Sequence, residues 1–236
     1  MTLTMDSMQG EIVAMGYDEF LNSMKWKQGE HVALIGPTGL GKTTLSLDLM
    51  AKRKFCCIIG TKPRDNTLAK FAQDNDYRIV KEFPSYFDER LHKRLLLWPK
   101  LTSMEKQRYQ RQAIGHALQT MFKQGGWAIN ADEVSYLNND LRLEPLLKLI
   151  WQQGRSIGLS LVATTQRPVN VPLFMYDQST HLFFFRDNDE ANLRRIGGIG
   201  WLNARQIRET VAKIPKHYFL YVNTRDGRMI VSKKEI

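Results

Sequence analysis

Apolar residues come in short blocks along this chain, and the blocks alternate between two periods. Residues 31–35, 55–59, 127–131, 158–164 and 181–185 are short, nearly continuous apolar runs. Runs of that length predict strands buried on both faces. Residues 77–83 are a further strand candidate, and 95–98 is a short apolar run stopped by Pro99. Between these runs the period lengthens to that of a helix. Residues 43–53 predict one amphipathic helix and 102–123 a longer one. In the longer helix Ala113, Ile114, Ala117, Leu118 and Met121 share a stripe, and Gly125-Gly126 ends it. Residues 144–153 predict a helix with Pro145 in its first turn. Asp187 or Asn188 is the expected cap of another helix, which stops at Gly197-Gly198. Residues 217–222 and 228–231 flank Asp226-Gly227 and predict a β-hairpin.

Strands alternating with helices imply an α/β fold, a mostly parallel central sheet with helices on both faces. The expected organisation is one domain over 1–236. It has a lead-in at 1–30, a helical excursion between core strands at 84–125, and a C-terminal hairpin and tail at 217–236. The excursion is either a crossover with an extra helix or a functional insertion. Lys233-Lys234 is expected to be a solvated end. Hydrophobic residues make up 43% and charged residues 25%, which excludes a disordered or fibrous chain. No run approaches the roughly 20 apolar residues of a membrane helix, and residues 1–10 lack the pattern of a secretory signal. Cys56 and Cys57 are adjacent and read as small buried hydrophobes in a reducing compartment, so a cytoplasmic location is expected. The five histidines make no metal-ligand spacing, and no structural zinc is expected.

Residues 36–44 read Gly36-Pro37-Thr38-Gly39-Leu40-Gly41-Lys42-Thr43-Thr44. This satisfies G-x-x-x-x-G-K-[ST] between an apolar strand and a helix. The glycines let successive N–H groups curl around phosphate oxygens, and the helix adds the positive end of its dipole. Lys42 is placed for the β- and γ-phosphates, and Thr43 offers its hydroxyl to Mg²⁺. A nucleoside triphosphate, ATP with Mg²⁺, is the expected ligand.

The run Trp127-Ala128-Ile129-Asn130-Ala131 leads directly into Asp132-Glu133. Asp132 is placed to hold the Mg²⁺ shell and Glu133 to polarise the attacking water. No N-K-x-D base-reading motif of a signalling GTPase occurs. A small-molecule kinase would usually lack the paired Glu. Both acids together point to repeated ATP hydrolysis, by a motor.

Further on, Arg155-Ser156-Ile157-Gly158, an apolar run, and Ala163-Thr164-Thr165-Gln166-Arg167-Pro168 follow in order. With residues 36–44 and 132–133, this order resembles the FtsK–HerA superfamily of P-loop ATPases. The second Thr before Gln166 is a small departure. The resemblance covers about residues 31–185 and implies a RecA-like fold. It implies a strand ending near Gln166 between the P-loop strand and the Asp132 strand, with Gln166 sensing phosphate or water. Arg155 resembles the family's arginine finger, which completes a neighbouring subunit's site; Arg167 and Arg186 are weaker candidates for that task. The implied function is an ATP-driven translocase of double-stranded DNA that works as a homo-oligomeric ring, hexamer or pentamer. A bare motor domain of this length looks most like the viral genome-packaging ATPases, which implies a capsid portal vertex as partner. Two alternatives stay open: a conjugative or helicase-type pump, and a nucleotide-switched binding module with slow hydrolysis.

The net charge of +10 makes a polyanion a candidate partner. Arg90, Lys93, Arg94, Lys100, Lys106, Arg108, Arg111 and Lys123 crowd the excursion, with Gln107, Tyr109, Gln110 and Gln112 interleaved. Lys106, Arg108 and Arg111 are candidates for tracking phosphates; a solvated face and a subunit contact remain equal alternatives. Lys62 and Arg64 form a second basic turn that could face nucleotide, DNA or solvent.

Overall fold

The computed structural model describes residues 11–86, 88–99, 106–199 and 203–234. Ten strands form one sheet: β1 (Ile12–Ala14), β2 (His31–Ile35), β3 (Cys56–Ile59), β4 (Arg78–Val80), β5 (Arg94–Leu97), β6 (Ala128–Ala131), β7 (Ser160–Thr165), β8 (Ser179–Phe185), β9 (Tyr218–Asn223) and β10 (Met229–Lys233). The helices are α1 (Tyr17–Ser23), α2 (Lys42–Ala51), α3 (Asn66–Asp74), α4 (Glu89–His92), α5 (Lys106–Gln124), α6 (Glu144–Gln153), α7 (Phe174–Asp177), α8 (Glu190–Gly197) and α9 (Ala204–Lys213).

The strand order is β1-β10-β9-β8-β2-β7-β6-β3-β5-β4. From β8 to β4 every neighbour is parallel, and β9 runs against both β8 and β10. The sheet is therefore mostly parallel, ending in the C-terminal hairpin β9–β10. Alternation along each strand sorts its side chains to the two faces. Val32 and Leu34 pack with Phe20 of α1, Leu45 and Leu49 of α2 and Leu68 of α3. Ala33 and Ile35 pack with Ile114, Leu118 and Met121 of α5 and Leu147 and Ile150 of α6. The same alternation sends Cys56 and Cys57 to opposite faces, where both are buried and free. Burial pushes their thiols up, to about 11 and about 12.

Three expectations change. The 84–125 stretch is not wholly helical, because Arg94–Leu97 is β5, lying between β3 and β4 inside the sheet. Four residues buried on both faces carry no period that separates strand from helix. The cap of α8 is Asp189, whose carboxylate accepts from the Asn192 N–H at 3.0 Å. Asp187 is buried instead, accepting from the Asp189 N–H and the Asn192 amide. Lys234 is not a free end: its Nζ lies 2.8 Å from Asp48 Oδ2 on α2 and sits over the Tyr17 ring. The lead-in joins the sheet and the core. β1 pairs in parallel with β10, and Phe20 is fully buried against Phe183, Phe219 and Tyr221. The expected helix start at Thr102, and Lys100, lie outside the described residues.

Candidate functional site

The C-terminal ends of β2, β6 and β7 open on one edge of the sheet, with β7 between the other two. That order brings the P-loop, the acidic pair and Gln166 together, as the family resemblance implies. They line a cavity of about 260 Å³ with Lys62 and Thr164.

The loop after β2 needs its glycines. Gly36, Gly39 and Gly41 all have positive φ, where a Cβ is costly. At Gly36 an added Cβ would also stand 2.7 Å from the Phe185 Cβ. The loop then feeds α2, whose first residue is Lys42. Lys42 Nζ donates to the Pro37 carbonyl at 2.7 Å, so the ammonium lies over the hollow of the loop. Burial pushes this ammonium down to about 8. Glu133 and Asp132 pull it back up, and Lys62 pushes it down further.

One hydroxyl organises the acids. Thr164 Oγ1 donates to Asp132 Oδ1 at 2.9 Å and accepts the Glu133 N–H at 3.0 Å. Thr43 Oγ1 stands 3.4 Å from the same Asp132 oxygen. Glu133 has φ +57, a left-handed conformation uncommon outside glycine. It is one of four such residues among those described, and it sits where β6 meets the cavity. Its carboxylate accepts from the Ser135 hydroxyl. Behind the acids, Asn130 of β6 donates to Ser46 Oγ at 2.9 Å, and Ser46 donates to the Thr43 carbonyl at 2.8 Å. This buried chain ties β6 to α2. Across the cavity Thr38 Oγ1 donates to Gln166 Oε1 at 2.8 Å.

These residues fit Mg²⁺ and a nucleoside triphosphate. The glycine loop exposes backbone donors that a Cβ would cover, and Lys42 supplies the positive charge for phosphates. A hydroxyl and a carboxylate 3.4 Å apart offer Mg²⁺ the hard oxygen donors it takes.

Lys62 is inside this site. Its Nζ is 3.3 Å from Asp132 Oδ2 and 3.4 Å from Asp65 Oδ2. The structure therefore gives one of the three faces open to the basic turn at 62–64, the nucleotide face. Arg64 is exposed on the loop before α3. Sequence reasoning missed Thr164, Asn130 and Ser46. Thr164 lies inside the quoted run 163–168, but its bond to Asp132 spans 32 positions and follows only from the β6–β7 register.

Arg155 is not in this site. It lies exposed in a 3₁₀ turn, Gly154–Ile157, just before β7, at the opposite edge of the sheet from the P-loop. The length of β7, about 20 Å at the usual strand rise, separates it from Lys42 of its own chain. The turn is held closely: Gly29 has φ +83, and a Cβ there would stand 2.8 Å from the Arg155 carbonyl. Arg167 and Arg186 follow β7 and β8 on the P-loop edge, and both are exposed.

On α5, Arg108 and Arg111 line a surface groove of about 490 Å³ with His116 and Arg142. Arg142 joins them from the turn before α6. Gln112 lines the groove too, while two of the polar residues interleaved with them are engaged elsewhere. Gln110 is fully buried and donates to the Thr61 and Pro99 carbonyls. Tyr109 donates to Glu82. The side chain of Lys106 lies outside the described residues.

No protein-family model matches the sequence, and no curated protein sequence matches it. Solved structures do. The chain is similar to the genome packaging NTPase B204 of Sulfolobus turreted icosahedral virus 2 in complex with ATP-gammaS. The two are 18% identical, with a TM-score of 0.65 over 89% of this chain and 100% of that one. It is similar to VirB4 of Thermoanaerobacter pseudethanolicus, 10% identical, with a TM-score of 0.69 over 97% of each chain. The fold is that of the P-loop ATPases. A third likeness is to the cytoplasmic domain of the Thermomonospora curvata type VII secretion ATPase EccC, 15% identical, with a TM-score of 0.56. It spans 100% of this chain and 28% of that one. At the level of fold, the likeness to a genome-packaging ATPase that the sequence suggested stands. Among the described residues no helix is long and apolar enough to cross a membrane.

Proposed function

We propose that this chain is an ATP-driven translocase of double-stranded DNA, a viral genome-packaging motor that works as a homo-oligomeric ring. The observation that carries the reading is the meeting of P-loop, Asp132, Glu133 and Gln166 in one cavity, with Thr164 fixing both acids. The coextensive fold of the B204 packaging NTPase supports the choice of substrate.

In this reading the backbone of residues 36–44 cradles the phosphates of ATP, and Lys42 leaves the Pro37 carbonyl to neutralise the β- and γ-phosphates. Thr43 and Asp132 hold Mg²⁺. When bound, Mg²⁺ neutralises charge that develops on the phosphate oxygens. Glu133 accepts the proton of the attacking water, held in place by its left-handed backbone and its hydrogen bond to Thr164. Gln166, now on Thr38, turns to the terminal phosphate. Arg155, on the far edge of the sheet, serves the site of an adjacent subunit, where a guanidinium neutralises charge on the transferred phosphoryl group. The groove of Arg108, Arg111 and Arg142 follows DNA phosphates without reading bases. The ring works in the host cytoplasm, docked at the capsid portal vertex.

The likeness to EccC favours a second reading, a pump of the same superfamily that moves another polymer. Displacement of a third strand from a linear duplex separates the two. The motor reading expects ATP-dependent displacement by wild type and none by Glu133→Gln. ATP turnover without displacement, on DNA the protein binds, would overturn it.

A further inference from the structure

Lys62 carries a positive charge into the site at the place where a metal cation is needed. Its Nζ lies 3.3 Å from Asp132 Oδ2, while Asp132 Oδ1 is engaged by Thr164 and faces Thr43. Asp132 is buried, but the Lys62 side chain is 51% exposed. Partial burial pulls the ammonium down, yet Asp132 and Asp65 together hold it above the ordinary lysine value. Only its side chain is free to move. The Lys62 carbonyl accepts from Trp98 Nε1 at 2.7 Å, and the neighbouring Thr61 carbonyl accepts from buried Gln110 at 3.0 Å. A pinned backbone with a flexible four-carbon stem suits an ammonium that changes partners.

We propose that Lys62 is the counter-ion Asp132 keeps until Mg²⁺ and a nucleoside triphosphate arrive, and that its ammonium then moves to the terminal phosphate. The proposal rests on the nucleotide-site reading above. Two charge relations drive the exchange. A divalent cation held between Thr43 and Asp132 repels an ammonium on the same carboxylate. The incoming phosphates offer that ammonium new negative oxygens in the same cavity, beside Lys42. Asp65, 3.4 Å away and fixed as the cap of α3 by its bond from the Leu68 N–H, keeps the stem within reach during the change. Lys62 thus holds Asp132 compensated in the empty site and adds a second ammonium once the triphosphate is bound.

The test is calorimetric binding of AMPPCP and of ADP across a Mg²⁺ series, on wild type, Lys62→Met and Lys62→Arg. Lys62→Met removes the competitor of Mg²⁺, so the Mg²⁺ needed for half-maximal AMPPCP binding falls severalfold. It also removes a contact to the terminal phosphate, so the preference for AMPPCP over ADP at saturating Mg²⁺ falls about tenfold, the scale of one charge-assisted contact. Lys62→Arg keeps most of that preference. An unchanged Mg²⁺ requirement in Lys62→Met overturns the proposal, and so does an unchanged preference. Wild-type protein that binds neither nucleotide overturns the nucleotide-site reading itself; wild-type binding with an indifferent Lys62→Met overturns only the role of Lys62.

Discussion

Thr164 shows how much a single hydroxyl organises here. It donates to Asp132 and accepts from Glu133, so both acids take their direction from β7. Replacing it with valine keeps the shape and removes both bonds. We expect Thr164→Val to bind nucleotide nearly as well as wild type while its kcat falls about 10- to 100-fold, because the general base loses its alignment. Glu133→Gln should keep binding and lose turnover by about 10²–10⁴-fold. Steady-state hydrolysis beside calorimetric binding checks both; full turnover in Glu133→Gln would place the base elsewhere. At this scale the site is unevenly legible in the sequence. Lys42, Thr43, Asp132 and Glu133 were legible because fixed spacing carries their chemistry. Thr164 was not, and for Lys62 the nucleotide was one of three faces left open. Their partner is Asp132, 32 and 70 positions away; the pairing of β6 with β7 brings Thr164 to it, and the loop after β3, which pairs with β6, brings Lys62.

Among elements, the parallel strands were legible from their apolar runs. β5 was not, since Arg-Leu-Leu-Leu fits a buried helix as well as a buried strand. β1 is shorter still and takes its identity from pairing with β10. The junction of β2 with β7 carries a titratable tie. His31 Nδ1 accepts the Leu161 N–H at 3.0 Å, and the ring is buried. Burial pushes the imidazole down to about 4. The Trp151 backbone opposes the fall, and the Arg155 charge adds to it. The folded chain therefore refuses a proton that the unfolded chain takes below about 6.5. This stability is full above that pH and is lost as pH falls towards 4. Between pH 7 and pH 5 the loss amounts to about 2 kcal/mol. Denaturant unfolding of wild type and His31→Asn at both values should show that difference between their pH dependences. Parallel pH dependences would mean His31 is charged in the fold.

Across the whole molecule, the P-loop cavity and the proposed finger Arg155 lie at opposite ends of the sheet. The P-loop cavity opens at the C-terminal ends of the parallel strands, and Arg155 sits in the turn before β7. A single chain cannot bring them together, so a shared site requires a neighbour. Arg155→Ala and Lys42→Ala should each abolish turnover alone. Mixing them should restore part of it, because one interface in the mixed ring then joins an intact P-loop to an intact Arg155. No recovery from mixed oligomers would remove Arg155 from the reaction.

The proposed motor harnesses ATP hydrolysis at this end of the sheet to duplex DNA. Its most direct test is steady-state ATP hydrolysis with and without linear double-stranded DNA, at two salt concentrations, with Glu133→Gln as the blank. Hydrolysis should rise on adding duplex, and the rise should shrink at the higher salt, as contacts to phosphate require. A basal rate that duplex DNA leaves unchanged at both salt concentrations would contradict it.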